Sequence, residues 1–276
     1  MAHPGVLPSG AAMAPPTFTS VEDERAHRKG RLAVAYRLFA NLGYDHWVAG
    51  HITVRDPEFP DRFWLNPFGR SWRHLCASDL LLVDLDGRLL AGEGAVNAAA
   101  FAIHSEIHRA RPDVTAIAHA HTRSGRAWSA TGRLLEPLSQ DACAFYEDHA
   151  IFDDFSGVVY GRAEGGALAR ALGDNKALLL QHHGLLTVGE TVDEAAFWLH
   201  LLERCCEAQL LLASLPPAAD GSAPYRPLGP AVAAHTRAQV GEHIHGWMGF
   251  QPLYEEIVRA DPDVLLGRVP HPTSSP

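Results

Sequence analysis

Two short stretches carry the residues with the most chemistry. In Ala116-Ile117-Ala118-His119-Ala120-His121, two histidines stand two apart in a small, apolar run. On an extended strand, residues two apart point to the same face. His119 and His121 therefore project side by side, close enough to hold one metal ion. The second stretch, Leu178-Leu179-Leu180-Gln181-His182-His183-Gly184-Leu185-Leu186, is an apolar run that enters a histidine pair and a glycine turn. Three imidazoles from two strand ends would make a divalent-metal site with open positions. Zinc in such a site activates water, and iron(II) binds a substrate and O₂ together. The competing reading is a set of core or rim histidines satisfied by hydrogen bonds. That is the commoner fate of a lone histidine, but His-x-His with His-His-Gly at strand ends favours a metal. Imidazole suits zinc, iron, copper and nickel alike, so spacing alone does not name the ion.

The elements that must position these histidines can be read from periodicity and punctuation. Ser20 is a helix N-cap, followed by Glu22, Asp23 and Glu24 in a first turn that favours negative charge. The apolar stripe Leu32, Ala33, Tyr36, Phe39 and Ala40 continues that helix until Gly43 closes it. Strands are expected over 48–57, 63–69 and 81–84, with Asp86-Gly87 as a hairpin turn. Asn97 caps a helix that runs to Ala110 and stops at Arg111-Pro112, immediately before the His119 strand. A short helix over 123–130, an apolar segment over 141–146, and small strands at 151–152 and 158–160 follow. A helix over 165–172 and strands at 177–180 and 185–188 come next. Thr191 and Glu194 form a capping box for the longest helix, to about Ser214. A Pro-rich linker then leads to one last helix over 231–258. Strands and helices mix without regular βαβ alternation, which predicts a single layered α/β domain over 21–214, with 215–276 as linker and helical segment. Residues 1–20, rich in Pro, Ala, Gly and Ser, read as a disordered leader.

The bulk numbers exclude several classes. The 276 residues are 47% hydrophobic and 20% charged, as in an ordinary globular protein. The net charge of −9, with no long run of one sign, argues against nucleic acid as a partner. Cys76, Cys143, Cys205 and Cys206 form no Cys-x-x-Cys pair, so neither a disulfide framework nor a zinc ribbon is expected. No signal-type start and no membrane-length apolar window are evident, which predicts a cytoplasmic protein.

Taken in order, several motifs resemble the class II aldolase/adducin superfamily over about Glu24 to Ser214. They are Ala49-Gly50-His51-Ile52-Thr53-Val54-Arg55, Asn66-Pro67-x-Gly69, Asp79-Leu80-x-x-Val83-Asp84-x-Asp86-Gly87, Ile103-His104-x-x-Ile107-His108-x-x-Arg111-Pro112-Asp113-Val114, His119-Ala120-His121 and Gln181-His182-His183-Gly184-Leu185. The resemblance implies a three-layer α/β/α fold with a largely antiparallel central sheet. It also implies homotetramers with sites at subunit interfaces, and a divalent metal on His119, His121 and His183. His182 then becomes a supporting residue.

The departures from the family pattern are informative. Sugar-phosphate aldolases of the family carry an acid/base Glu where this chain has Ala100. Their phosphate-binding Asn is His51 here, a Ser pair is Ala98-Ala99, and a Thr before the turn glycine is Phe68. A phosphate needs a cluster of hydroxyl and backbone donors, which two alanines and a phenylalanine do not supply. Proton abstraction by the usual Glu is also unavailable. Glu106 does not replace it, because positions 100 and 106 face different sides of a helix.

This Glu-less pattern is similar to one branch of the superfamily, the non-haem iron oxygenases of aminocoumarin antibiotic pathways. That likeness implies Fe(II) as cofactor, with Zn, Mn or Co as alternatives, and O₂ as cosubstrate. The implied substrate is a small aromatic acid, a prenylated 4-hydroxyphenylpyruvate, decarboxylated oxidatively through a mandelate to a 4-hydroxybenzoate. Candidate substrate contacts are His51, Phe68, Trp72, Phe101, His104, Arg123 and Tyr146, with Arg73 or Arg126 as other carboxylate holders. The alternatives are a metal-dependent aldolase or aromatic-acid decarboxylase, and a non-catalytic adducin-type assembly module. His243, His245, Trp247 and Tyr254 either cover a neighbour's site or pack.

Overall fold

The computed structural model describes residues 14–159 and 161–265. In chain order the elements are α1 (Val21–Asn41), β1 (His51–Arg55), β2 (Arg62–Leu65), β3 (Leu81–Asp84), β4 (Leu89–Ala91), α2 (Ala98–Ala110), β5 (Ala116–Ala120), α3 (Arg123–Ser129), α4 (Gln140–Cys143), β6 (His149–Phe152), α5 (Arg162–Leu172), β7 (Ala177–Leu180), β8 (Gly184–Gly189), α6 (Val192–Ala213), α7 (Pro230–Val240) and α8 (His243–Ala260). The strands form one sheet, β4-β3-β2-β1-β5-β8-β7-β6. Every pairing is antiparallel except β6 with β7.

Strand alternation sorts the side chains into two cores. Ile52, Val54, Ala116, Ala118 and Ala120 pack into a layer with α1, α6 and α8. Ile117, Leu178, Leu180, Leu186 and Val188 pack on the opposite face against Ile103 and Ile107 of α2 and Leu168 and Leu172 of α5. The sheet is thus covered on both faces, giving an α/β/α sandwich with β5 near its centre. His51 and Thr53 of β1 share the α2-facing side with Ile117 and His119, which brings polar side chains under α2.

The helix signals operate as expected. Ser20 Oγ accepts from the Asp23 N–H at 3.2 Å, and Thr191 Oγ1 accepts from the Glu194 N–H at 3.1 Å. Asn97 Oδ1 accepts from Ala99 and Ala100 at the head of α2. α2 and α5 approach closely because Gly165 has no side chain: a Cβ there would lie 2.0 Å from the Ala102 carbonyl oxygen. All four cysteines are free and buried.

The structure corrects several expected bounds. The strand expected over 63–69 ends at Leu65, where Asn66 turns inward to accept from the Tyr36 hydroxyl at 2.7 Å. Val158 and Val159 form no strand, and Tyr160 lies outside the described residues. The expected last helix is two, α7 and α8, divided at Gly241 and Glu242. A Cβ at Gly241 would lie 2.8–2.9 Å from the Arg237 and Ala144 carbonyls, so the chain is held close there and turns. The C-terminal helices are not an appendage. Phe250, Ile257 and Val264 enter the α1 core, and Arg37 clasps Asp263 with two bonds of 2.8 Å. Of the leader, residues 1–13 lie outside the described residues, and 14–20 carry no helix or strand. No helix among the described residues is long and apolar enough to cross a membrane.

Candidate metal centre

His119 occupies the penultimate position of β5, and His121 follows one residue past the strand end. Alternation therefore places both rings on one side, 5.0 Å apart between centroids. The third ring comes from the turn joining β7 to β8. His182 adopts a left-handed backbone (φ 60°), and the His183 N–H closes the turn on the Leu180 carbonyl at 2.9 Å. This reversal directs His183 back to β5, with centroids 4.8 Å from His119 and 4.6 Å from His121. Gly184 permits the approach: a Cβ there would sit 2.6 Å from the Ala120 carbonyl oxygen. One nitrogen from each of the three rings lies within 4.8 Å of the other two.

The donor set suits a cation. His119 is buried, and its Nδ1–H donates to the Leu185 carbonyl at 2.8 Å, which leaves Nε2 as a bare lone pair. Burial, reinforced by the neighbouring rings, holds His119 well below the usual imidazole range. The same cause lowers His121 to about 3, with His183 and Arg126 adding to it, and desolvation lowers His183 to about 4. All three rings are therefore neutral near pH 7, the form that ligates metals. No carboxylate belongs to the cluster. Ala100, fully buried on α2, stands one turn before His104.

A fourth histidine adjoins the three. His51 is the cross-strand partner of His119, and their ring centroids lie 4.8 Å apart. Its Nδ1 meets His104 Nε2 at 2.8 Å. His104 Nδ1 meets Thr53 Oγ1 at 2.8 Å, and that hydroxyl meets His108 Nε2 at 3.0 Å. Burial holds His51, His104 and His108 well below the usual imidazole range.

The other substrate candidates have the following surroundings. Trp72 is only 5% exposed and belongs to the core, edge-on to Tyr36 at 4.9 Å. It backs the entry to β1: a Cβ on Gly50 (φ 88°) would meet its ring at 2.9 Å. Phe101 stacks on Phe63 and covers Gly87 of the hairpin. Phe68 is 45% exposed beyond β2. Arg73 is tied to Asn41 and the Ala40 carbonyl at the end of α1. Arg123 is exposed at the start of α3; Arg126, one turn on, is the guanidinium whose charge bears on His121. Tyr146 follows α4, and burial with the Glu147 charge raises its hydroxyl. His182 is exposed, its ring 6.0 Å from Phe155.

Phe155 belongs to a feature that sequence reading missed. Residues 152–159 and α5 enclose a cavity of about 210 Å³ beside His183, lined by Phe152, Phe155, Val159, Ala167, Leu168 and Leu180 among others. The Phe155 ring lies 6.5 Å from His183. An aromatic residue just before Ser156-Gly157 in a loop was the available signal.

Comparison with known proteins follows the same lines. Residues 30–210 match the profile of the Class II Aldolase and Adducin N-terminal domain. The chain is 48% identical over 252 residues to "Decarboxylase NovR" of Streptomyces niveus, covering 91% of each. It is 46% identical over 264 residues to the "4-hydroxy-3-prenylphenylpyruvate oxygenase/4-hydroxy-3-prenylbenzoate synthase" of Streptomyces roseochromogenus subsp. oscitans, covering 95% of this chain and 93% of that one. Among solved structures, "L-fuculose 1-phosphate aldolase from Glaciozyma antarctica PI12" superimposes with a TM-score of 0.82 at 43% identity, over 92% of this chain and 97% of that one.

Proposed function

We propose that this chain, which belongs to the class II aldolase and adducin family, is a three-histidine non-haem Fe(II) oxygenase of an aromatic 2-oxo acid in antibiotic biosynthesis. The substrate class is a 4-hydroxyphenylpyruvate, prenylated on the ring, and the product is the matching 4-hydroxybenzoate. Each step balances. The 2-oxo acid and one O₂ give the mandelate and CO₂; the mandelate and a second O₂ give the benzoate, CO₂ and water.

The observation that carries this reading is the donor set: three neutral imidazoles with no carboxylate among them. An aldol cleavage needs a base at the substrate carbon, and this cluster supplies none. The relative that shares 46% of residues over nearly the whole chain is named for such an oxygenation. His119, His121 and His183 would hold the ion, which when bound supplies a Lewis acid and, as iron, a redox centre for O₂. The chain's own residues do the rest. The Leu185 carbonyl keeps His119 in the tautomer that ligates. The cavity beside His183 is large enough for an aryl or prenyl group, since about 150 Å³ suffices for benzene, and its mainly apolar lining, with Asp154, Ser156, Glu164 and Gln181 among it, suits such a group. Arg126 places positive charge at the His121 side, where a carboxylate enters. Assembly into a homotetramer with sites at subunit interfaces is part of the proposal.

A second reading is a metal-dependent lyase, either an aldolase or a decarboxylase that needs no O₂. It is favoured by the names of the 43% identical solved structure and of the 48% identical relative. The intact triad weighs against a purely structural adducin-type module, which has no use for three converging imidazoles.

The test is anaerobic loading with iron(II), addition of a 4-hydroxyphenylpyruvate, then admission of air. O₂ uptake matched by CO₂ release supports the oxygenase. CO₂ release before air is admitted shows the lyase instead. Elemental analysis of the protein as purified identifies the ion.

A further inference from the structure

Thr122 stands at the N-cap position of α3, directly after His121, yet its side chain does not cap the helix. Its Oγ1 is buried and has no hydrogen-bond partner among the described residues. An N-cap side chain ordinarily accepts from the second or third N–H of its helix, groups that have no partner within the helix. In α3 those donors belong to Ser124 and Gly125. Both are taken by a carboxylate from another element. The Ser124 N–H donates to Glu203 Oε1 at 2.8 Å, and the Gly125 N–H donates to Glu203 Oε2 at 2.6 Å. Glu203 lies within α6, 79 residues on from Ser124, and is only 7% exposed. A carboxylate also suits the positive end of a helix.

The turn held in this way carries a metal ligand. His119 is oriented through its own ring, whose Nδ1–H donates to the Leu185 carbonyl at 2.8 Å. Among the described residues, no backbone group is bonded to the His121 ring. His121 is half-buried and lies one residue past the end of β5, so its direction depends on the backbone to either side. On one side, Ala120 pairs with Leu185 of β8. On the other stand Thr122 and the start of α3, which Glu203 pins. The helix is also seated closely on β8. A Cβ on Gly125 would lie 2.4 Å from Thr122 Oγ1 and 2.5 Å from the Leu185 side chain. Leu185 is the residue whose carbonyl holds His119, so the seat of α3 bears on two of the three ligands.

We infer that Glu203 is a positioning residue of the metal centre: from α6 it fixes the start of α3 and thereby the direction of His121. It is not itself a member of the cluster. Its removal frees two N–H donors next to His121 and lets the turn over 121–125 relax. Loss of a partner that orients a ligand typically weakens metal binding about tenfold to a hundredfold. The ligands come from β5 and the β7–β8 turn, yet their alignment depends on a helix that supplies none of them. The inference rests on the three-histidine centre of the proposed function, but not on the identity of the ion or on the reaction.

Cobalt(II) titration of the full chain, read by visible absorption, reports both the affinity and the ligand geometry. Melts in chelator report the metal-free fold. Glu203→Ala should bind cobalt about tenfold to a hundredfold more weakly, with shifted or broadened bands. Glu203→Gln keeps one acceptor oxygen and should fall between Glu203→Ala and the original chain. Thr191→Ala is the control. It removes the cap at the start of α6, where Thr191 Oγ1 accepts from the Glu194 N–H at 3.1 Å. It should lower the metal-free Tm by about 2–4 °C and leave the cobalt affinity and bands unchanged. Glu203→Ala with the original affinity and spectrum makes Glu203 a helix cap alone and overturns the inference. A Thr191→Ala protein that loses affinity as its Tm falls also overturns it, because the effect is then general destabilisation. If Glu203→Ala does not fold, Glu203→Gln decides, and an unchanged affinity and spectrum there overturn the inference. An original chain that binds no cobalt refutes the metal centre itself, and the inference with it.

Discussion

Replacing His121 with alanine should separate metal binding from folding. The His121 ring is half-buried, and none of its nitrogens holds a backbone group, whereas His119 is buried and satisfies the Leu185 carbonyl. In the metal-free protein His121→Ala should therefore change stability by no more than about 0.5–1 kcal/mol. His119→Ala should cost about 2–4 kcal/mol, from a cavity and an unpaired buried carbonyl. The original chain with metal at a hundredfold excess over Kd should gain about 2.7 kcal/mol, a rise in Tm of roughly 5–10 °C for a chain of this size. His121→Ala should lose most of that rise while keeping the metal-free Tm. Scanning fluorimetry with chelator, zinc and iron(II), together with elemental analysis, measures both quantities. An unchanged metal-induced rise in His121→Ala, or no rise in the original chain, would refute the three-histidine centre.

Asp56 is held to about 2, against the ordinary 3.8, by bonds from Arg25, Trp64 Nε1 and the Glu58 N–H that outweigh its burial. Its folded pKa is depressed, so its contribution is present above about pH 4 and is lost as pH falls towards 2. Urea titrations over that window should show about 2 kcal/mol lost, a loss that Asp56→Asn removes. Gly165→Ala should destabilise by about 1–3 kcal/mol in urea melts, because its Cβ meets the Ala102 carbonyl, and wild-type stability would contradict the α2–α5 packing. Phe155→Ala should raise KM for an arylpyruvate several-fold while leaving metal content unchanged; equal KM values would remove the cavity from the substrate path.

Sequence periodicity was sufficient for most of the elements and for two of the three candidate metal ligands. A strand repeat of two places His119 beside His121 wherever that strand lies, and capping residues such as Ser20, Asn97 and Thr191 act within one turn of chain. That Ala100 stands where the family resemblance implies an acid was equally legible, because it needs only the sequence motif and no tertiary contact. The position of His183 was different. Spacing made it a candidate, but its approach depends on the left-handed turn at His182 and on the β5–β8 register.

Packing across distant segments decided the rest. The surroundings of Trp72 and Phe101 come from packing: Trp72 backs Gly50 and joins the core, and Phe101 covers Gly87 of the hairpin. Nothing local joins Thr53 to His104 and His108, which meet only because α2 crosses the same face of the sheet as β1. The cavity at Phe155 likewise arises between a loop and α5. Local propensity depends on neighbours within a few residues and is readable from the chain. A hydrogen-bond line or a cavity depends on the relative placement of elements far apart in sequence, and only the folded structure specifies that.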